Sequence, residues 1–360
     1  MPLSIEDPRN WLGFIPATLK DSPLYSELWE HLKDDAEILA LVNLVDKDQP
    51  NLVTFFAAVN FLLLGEPHQP LALYYPYLHQ NSTPPLSEAY PYFREFVLAH
   101  ATQLHTLLPS ARLQTNETTR CTNLLPAFVL AYRRGGYHPL NMIEIGSSAG
   151  LNLLWNRYSY RYSSGLTTED ILVGDRSSPV QIRCELVGPL LPPLPETALP
   201  PVASCQGIEL IPRNIHNEED MRWVRAAIWP EECARHQVLD AAISFARQEH
   251  VPLHQGDACD LLPALLDGIP QQHTAVVWSS FAVNQGPVEV KEQIERQLRE
   301  ASNRIPIYRV ALEFALEKQA EGPRLEWLEY QDGQMVKQEL LARCAVHGER
   351  MTWLLDGDIL

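Results

Sequence analysis

The feature that most constrains the fold is a change of hydrophobic pattern near Pro139. Before it, apolar residues recur at helical spacing in four segments, Leu24–Val42, Asn51–Leu64, Tyr90–Leu108 and Thr118–Arg134. After it, short apolar runs alternate with helical stretches, which is typical of βαβ units and a mostly parallel sheet. The sequence therefore predicts a helical domain over residues 1–135 and an α/β domain over residues 136–360.

The second domain contains the predicted strands and one segment that does not fit the alternation. The strands are Asn141–Ile145, Gly207–Ile211, Val251–His254, Ala275–Trp278, Ile307–Phe314, Arg324–Tyr330 and Met351–Leu355. The helices between them are Ala149–Tyr158, Asn217–Arg247, Leu261–Leu266 and Val288–Ala301. Pro189–Pro201 has six prolines in thirteen positions, which excludes a helix or a central strand. We interpret residues from about 160 to 206 as a Pro-rich insertion near the ligand site, with a solvated surface loop as the equal alternative.

The most informative motif is the turn that follows the first predicted strand. Residues 143–152 read Ile-Glu-Ile-Gly-Ser-Ser-Ala-Gly-Leu-Asn, a buried strand that enters a turn of small residues and then a helix. Doubly wound sheets bind ligands at such turns, where glycines allow close approach and a helix begins with free N–H groups. Glu144, Gly146 and Gly150 form an acidic-x-Gly-x-x-x-Gly pattern that favours S-adenosylmethionine binding.

The same residues also spell G-x-S-x-G, the nucleophile turn of serine hydrolases. Ser148 would then be the nucleophile, with Asp257 or Glu313 and His347 completing a triad. Against this hypothesis, no strand is predicted before Asn141 and no earlier loop offers an oxyanion donor. A dinucleotide site is a third option, but G-x-G-x-x-G fails at Ser148 and Leu151. Small residues that simply permit close packing are the structural alternative.

Polar residues close the strands that follow the turn. By analogy with methyltransferases, Glu209 in the second strand would accept from ribose hydroxyls, and Asp257 with Ala258 would lie beside adenine. The fourth strand ends at Ser279, where the methyl donor is expected. Asp257 as a helix cap and Glu209 as an edge residue are the alternatives. The predicted cofactor-binding residues are Glu144, Gly146, Ser147, Ser148, Gly150, Asn152, Glu209, Asp257, Ala258 and Ser279.

Several motifs resemble a bacterial family, domain-of-unknown-function family 2332. They are Gln114–Glu117 with Arg120, the strand and turn from Ile143 to Trp155, Arg157–Tyr160, Gly207–Leu210 and Ile228–Glu231. The glycine turn in turn resembles that of class I methyltransferases, which implies a Rossmann-like sheet and S-adenosylmethionine as cofactor. Those enzymes often have a third glycine where this chain has Ser148.

Methyl transfer to oxygen or nitrogen can need a general base. The candidates are Glu117, whose alternative role is helix capping, and His347, which is otherwise a turn residue. Asn/Asp-Pro-Pro-Tyr/Phe is absent, so exocyclic base amines are not the expected substrates. Tyr158, Tyr160 and Tyr162 share one face of an extended segment. With Tyr74, Tyr75 and Tyr77 they would line an aromatic pocket or pack between domains.

Composition restricts the partners and the compartment. Lys and Arg total 28 against 45 Asp and Glu, a net charge of -17, which disfavours nucleic acid and anionic membranes. The first residues lack a basic, apolar leader, and the six cysteines form no CxxC pair. We therefore expect a reduced, cytoplasmic protein without a metal site. Three functions stay open: a methyltransferase acting on a small molecule, a serine hydrolase, and a non-catalytic protein that binds a nucleotide or another protein. The oligomeric state is not predicted.

Overall fold

The structure is a computed structural model that describes residue 19 and residues 21–79, 83–195, 198–314 and 322–356. The α-helices are α1 (Pro23–Leu32), α2 (Ala36–Val42), α3 (Asn51–Gly65), α4 (Ala89–Ala99), α5 (Ala101–Leu107), α6 (Cys121–Arg134), α7 (Glu218–Ala226), α8 (Cys233–Ala246), α9 (Ala258–Asp267) and α10 (Val288–Ala301). Short 3-10 helices cover Pro70–Tyr74, Leu86–Glu88, Leu108–Ser110, Thr118–Arg120, Leu151–Arg157 and Val283–Gln285. The strands are β1 (Leu140–Ile145), β2 (Ser159–Ser164), β3 (Ile171–Gly174), β4 (Gln181–Leu186), β5 (Val202–Glu209), β6 (Leu253–Gln255), β7 (Thr274–Ser280), β8 (Ile307–Phe314), β9 (Pro323–Gln331), β10 (Gln334–Cys344) and β11 (Arg350–Trp353).

Contacts divide the chain into two compact units. One is Met1–Thr115 with His216–Gln237, and the other is Asn116–Ile215 with Val238–Leu360. The described residues of the first unit are helical, and the second unit holds every described strand. Contacts therefore group α6 with the sheet, whereas the division into domains at residue 135 stays a prediction.

The helical unit is held by an aromatic core and one buried amide. Tyr25 stacks on Phe56 with ring centroids 4.2 Å apart. Asn60 is fully buried in α3, and its Nδ2 donates to the carbonyl of Ala226 at 3.1 Å. Its Oδ1 accepts from the Tyr77 hydroxyl at 2.6 Å. Because a buried amide needs partners, this network fixes α3 against α7.

Two helices that the sequence predicts as continuous are interrupted. Leu24–Val42 breaks before α2, where the Asp35 carboxylate accepts from the amides of Glu37 and Ile38 and caps the new helix. Asn217–Arg247 breaks between α7 and α8, at a segment that contains Pro230. Proline has no N–H to donate and ends the α-helical ladder.

The sheet has eleven strands in the order β3-β2-β4-β11-β10-β9-β8-β7-β1-β5-β6. Six neighbouring pairs are parallel, and four are antiparallel. The prediction of an α/β fold with a mostly parallel sheet is therefore confirmed. β1 lies between β5 and β7, and the chain reverses its direction of travel across the sheet there. This is the topological switch point of the parallel part.

The segment predicted as a Pro-rich insertion contains three strands. β2, β3 and β4 pair with one another, and β4 joins the sheet through β11. Every second residue of β4 is buried, so this strand has one inner face and one outer face. The segment is therefore partly strand, and its proline-rich part, the described residues between β4 and β5, lacks regular structure.

Helices cover both faces of the parallel strands. On one face, the Phe128 ring of α6 lies 4.9 Å from the Trp155 ring and 5.4 Å from the Trp278 ring. On the other face, Ile143 and Ile145 of β1 belong to a buried cluster with residues of α9 and α10. Side chains alternate along β1, so Glu144 points to the α6 face. In the described part of the chain, no helix combines the length and apolar character that a membrane crossing requires.

Candidate functional site

The glycine turn lies between β1 and the 3-10 helix Leu151–Arg157. Gly146, Ser148 and Gly150 all have positive φ angles, of 79°, 52° and 75°. A Cβ on Gly146 would collide with the Cβ of Ala282 in the loop after β7. A Cβ on Gly150 would lie 2.5 Å from the Cγ1 of Val251. Both glycines therefore permit close packing within the protein as well as the backbone conformation.

The amides of the turn are largely used inside the protein. The Gly146 and Ser147 amides donate to the Ile208 carbonyl at 2.9 and 3.3 Å. The Ser148 amide donates to Oε2 of Glu209 at 2.8 Å, and the Leu151 amide donates to Oδ1 of Asn116 at 3.0 Å. The expectation that the turn presents bare N–H groups is wrong at these positions, because β5 and Asn116 supply the acceptors.

Glu209 ends β5 and organises the turn. Besides the Ser148 amide, its carboxylate accepts from the Ile211 amide at 3.3 Å. The carbonyl of Ser148 accepts from the Arg213 amide at 3.2 Å, so the chain after β5 is tied to the same turn. Sequence reasoning placed Glu144 beneath the turn, in contact with its amides or, through water, with the ligand ammonium. The structure gives the contact with the turn amides to Glu209, because the amides point toward the neighbouring strand.

Glu144 is instead a buried carboxyl without a full set of partners. It is 1% exposed, and its Oε2 has no hydrogen-bond partner among the described residues. Burial raises the pKa of Glu144 well above its usual range; the nearby Glu209 raises it further, and Arg120 lowers it. A buried polar atom without a partner is costly unless a ligand or water satisfies it.

Ser148 is the second residue of the turn with an unpartnered oxygen. Its side chain is 4% exposed, and its Oγ has no hydrogen-bond partner in the described structure. All twelve histidines fall within the described residues, and none is hydrogen-bonded to this oxygen. The acids named for a hydrolase triad are engaged elsewhere: Asp257 caps α9, and Glu313 binds Ser279 at 2.7 Å.

The segment Asn116–Cys121 spans the carboxyl ends of β1 and β7. Asn116 binds the start of the 3-10 helix after the glycine turn, as described above. Arg120 is buried, donates from Nε to the Val346 carbonyl at 3.0 Å, and has its guanidinium 4.2 Å from the centroid of the Phe281 ring. Its Nη1 lies 3.4 Å from Oγ of Ser280, the last residue of β7. The segment thus lies at the carboxyl ends of β1 and β7, at the switch point of the sheet.

The two residues predicted as catalytic, Glu117 and His347, are brought together. Oε2 of Glu117 lies 3.9 Å from Nδ1 of His347, with side chains 4% and 37% exposed. Glu117 also caps the 3-10 helix Thr118–Arg120, since its Oε1 lies 3.4 Å from the Thr119 amide. The capping role predicted as the alternative for Glu117 is therefore present, and its role as a base stays a prediction.

Gly348 seats the turn that carries His347. Its φ is 91°, and an added Cβ would lie 2.5 Å from the carbonyl carbon of Thr119 and 2.6 Å from the Arg120 nitrogen. The Gly348 carbonyl accepts from the Thr122 hydroxyl at 2.6 Å. Only a residue without a side chain allows this backbone contact, so Gly348 sets how closely His347 approaches Glu117.

Four other predicted cofactor residues have partners of their own. Oδ1 of Asn152 lies 3.5 Å from the Cys121 sulfur, and Ala258 belongs to the apolar core around α9. Asp257 is exposed, and its carboxylate accepts from the Cys259 amide at 2.8 Å. Ser279 is fully buried within β7. Asp257 lies just past β6, as predicted, and the cap predicted as its alternative role is present.

Ser279 belongs to a buried hydrogen-bond network that the sequence did not reveal. Nη2 of Arg309 donates to Oγ of Ser279 at 2.6 Å, and that hydroxyl donates to Oε1 of Glu313. The same oxygen accepts from the amides of Ala282 and Val283 at 3.2 Å each. Ala282 is also the residue whose Cβ would collide with a Cβ at position 146. The hydrogen-bond network therefore holds the loop after β7 against the glycine turn.

Sequence reasoning missed the roles of Arg120 and Phe281. Arg120 appeared only as part of a motif, and Phe281 only as the end of a strand. Phe281 has a φ of 54°, which is unusual for an aromatic residue. Positive φ angles at non-glycine residues cluster at functional sites, but a sequence does not display them.

Most of the tyrosines considered for an aromatic pocket are buried and pack within the fold. Tyr158, Tyr160 and Tyr162 are buried, and their hydroxyls donate to the carbonyls of Leu151, Trp155 and Thr122 respectively. Tyr74 and Tyr75 are buried in the helical unit. Among the described residues, no group of three or more His, Cys, Asp or Glu side chains could hold a metal ion.

Comparison with known proteins gives a family. Residues 17–353 match the model of a family described as "Uncharacterized protein conserved in bacteria (DUF2332)". Because the match covers most of the chain, the chain belongs to this family. Its resemblance was predicted from the motifs around the glycine turn and is confirmed. No curated protein matches the chain.

Proposed function

We propose that the protein is an S-adenosylmethionine-dependent methyltransferase that acts on a small molecule. The observation that carries the proposal is the buried carboxyl of Glu144, whose Oε2 has no partner, two residues before a glycine turn at the switch point of the sheet. In open α/β sheets, ligands bind outside the carboxyl ends of the strands at such a point. A ligand with a positive charge is favoured by a buried carboxylate.

The strand order supports a Rossmann-like arrangement of the methyltransferase type. The run β6-β5-β1-β7-β8 is wholly parallel, with β1 at its centre. In sequence order these strands read third, second, first, fourth and fifth, the doubly wound order in which the first turn binds the ligand. Antiparallel β9 and β10 follow on the far side of β8.

The residues around the turn fit the cofactor. Two oxygens without partners, Oε2 of Glu144 and Oγ of Ser148, are buried there. We assign Glu144 to the ammonium group of the ligand and Glu209 to the ribose hydroxyls, since each carboxylate oxygen can accept more than one hydrogen bond. Gly146 and Ser147 supply the backbone wall. When bound, S-adenosylmethionine supplies a methyl group activated by the sulfonium.

Asp257 remains the candidate for the adenine, because it is exposed just past β6. Asn152, Ala258 and Ser279 have less support as contact residues, since each is engaged within the fold. For Ser279 a positioning role through the loop after β7 is the better assignment.

The pair Glu117 and His347 supplies the base. His347 is partly exposed, so an acceptor can reach its imidazole, and Oε2 of the buried Glu117 carboxylate lies 3.9 Å from Nδ1 of the ring. Imidazole is among the commonest general bases in enzymes, so His347 is the candidate base of this pair. The acceptor is therefore a hydroxyl or amine that loses a proton on methylation.

A serine hydrolase is the second candidate, and one observation favours it. Ser148 has a φ of 52° in a G-x-S-x-G turn, as the strained serine of a nucleophile turn would. It is disfavoured because no histidine is hydrogen-bonded to Oγ of Ser148 and because the Ser148 amide is engaged by Glu209. A hydrolase would need that oxygen within reach of a base.

A thermal-shift panel separates the methyltransferase from the non-catalytic nucleotide-binding alternative. A ligand that binds only the folded state raises the melting temperature by mass action. We expect S-adenosylmethionine and S-adenosylhomocysteine to raise it and NADH and ATP to leave it unchanged. Stabilisation by ATP or NADH alone would instead favour the non-catalytic nucleotide-binding alternative.

A further inference from the structure

Glu144 is 1% exposed, and the titratable groups that surround it come from three elements. Glu209 and Cys205 face it from β5, Arg120 and Cys121 from the start of α6, and Tyr158 from the end of the 3-10 helix. Of these, Arg120 is the one cation. Oε2 of Glu144 receives no hydrogen bond from any described residue.

We propose that Glu144 is uncharged in the ligand-free protein and gives up its proton when a cationic ligand binds at the glycine turn. The inference rests on the proposed function, because the cation is taken to be part of S-adenosylmethionine. In the step, the O–H bond of the carboxyl group breaks, the proton passes to the solvent, and the carboxylate pairs with the ligand cation, which keeps its own charge.

The surroundings make the ligand-free carboxylate unfavourable. A second carboxylate nearby, that of Glu209, is fixed by two backbone amides and does not turn away. Burial removes the water that would solvate a charge on Glu144, and burial is the largest cause of its raised pKa. Arg120 offsets part of this cost, but its guanidinium is directed to Val346, Ser280 and the Phe281 ring.

A bound cation reverses this balance. An opposite charge within a few ångströms favours the ionised carboxyl, and the interaction is strong where water is excluded. The ligand then also supplies a partner for Oε2. Proton release and binding are therefore coupled, and the site selects a positively charged ligand over a neutral one of similar shape.

Calorimetry in two buffers measures this coupling directly. S-adenosylhomocysteine and S-adenosylmethionine are titrated into the full chain at one pH in two buffers with different ionisation enthalpies. We expect the apparent enthalpy to differ between buffers by the amount that corresponds to release of about one proton per ligand. Affinity should also rise with pH, by up to about tenfold per pH unit while the carboxyl is protonated.

The isosteric variant Glu144→Gln should bind more weakly and with no buffer dependence. Glu185→Gln, which removes an exposed carboxylate from β4, is the matched control and should release the same proton as the wild type. Thermal unfolding establishes that each variant is folded. Because the main comparison uses the wild type alone, it stands even if Glu144→Gln does not fold.

The outcomes separate this inference from the proposed function. Binding by the wild type with the same enthalpy in both buffers, or equal proton release by Glu144→Gln, overturns the inference and leaves the methyltransferase proposal intact. Absence of binding by either ligand overturns both.

Discussion

Gly348 offers the sharpest test of how the site is assembled. Its replacement by alanine places a Cβ 2.5 Å from the carbonyl carbon of Thr119 and 2.6 Å from the nitrogen of Arg120, both backbone atoms that cannot rotate away. The residue also has a φ of 91°, where a side chain adds strain. Strain and overpacking, less the gain from a stiffer unfolded chain, should lower the free energy of unfolding by about 2–4 kcal/mol.

Gly165→Ala is the matched control for this variant. Gly165 lies in the same unit, its φ lies outside the left-handed region, and an added Cβ would have no atom within 4 Å. Its replacement should change the free energy of unfolding by between zero and a gain of about 1 kcal/mol. Urea denaturation of both variants and the wild type measures the difference.

The same substitution should displace the turn that carries His347. The ring would then move away from Glu117, and the imidazole NMR signals of His347 should shift in Gly348→Ala and stay unchanged in Gly165→Ala. If the free energy of unfolding of Gly348→Ala falls within about 0.5 kcal/mol of the wild type, the contact between Gly348 and Thr119 is wrong.

Three further results are expected from the site. Glu144→Gln should stabilise the ligand-free protein increasingly as the pH rises above about 4.3. In the wild type, the unfolded chain then gives up the Glu144 proton whereas the folded protein, with its raised pKa, keeps it, and this difference favours unfolding. Urea unfolding at several pH values tests this, and a pH-independent difference contradicts it. Glu313→Ala should lower the free energy of unfolding by about 1–3 kcal/mol, because it removes Oε1, which accepts from Ser279 and two loop amides; an unchanged urea midpoint refutes this network. A fluorophosphonate probe should leave the wild type unlabelled, whereas labelling lost in Ser148→Ala would favour the hydrolase.

Local patterns predicted the parts of the fold that depend on neighbouring residues. The start of β1 and the glycine turn followed from the change of hydrophobic period and from the small residues at 146–150. The strands β7 and β8 are buried on both faces and therefore read as continuous apolar runs. Asp257 as a helix cap was visible because it directly precedes an apolar helix.

Residues whose partners are distant in sequence were not predicted. β2 was predicted only as an extended segment, from the alternation of Tyr158, Tyr160 and Tyr162, and its pairing with β3 and β4 was missed. β10 was missed because its burial is partial. The contact of Glu209 with the Ser148 amide depends on the register of β1 with β5, where Glu144 pairs with Gly207. The proximity of Glu117 to His347 depends on Gly348, whose packing only the folded chain reveals.

Gly150 illustrates how the structure changes the design of an experiment. If the glycine turn only had to let the ligand approach, a branched side chain at position 150 would test it by blocking the ligand. In the structure the added Cβ meets Val251 and Leu253, so Gly150→Val would disturb packing between the turn and β6. Loss of binding in that variant would not distinguish a ligand contact from misfolding, and Glu209 is the better residue to change.

Calorimetric binding of S-adenosylhomocysteine to the wild type and to Glu209→Ala tests the central proposal most directly. We predict saturable binding by the wild type and by the surface control Glu185→Gln. Glu209→Ala removes the acceptor assigned to the ribose and releases the Ser148 amide, so affinity should fall by about ten- to a hundredfold. Absence of binding by the wild type, or equal affinity of a folded Glu209→Ala, would contradict the assignment of this turn as a methyl-donor site.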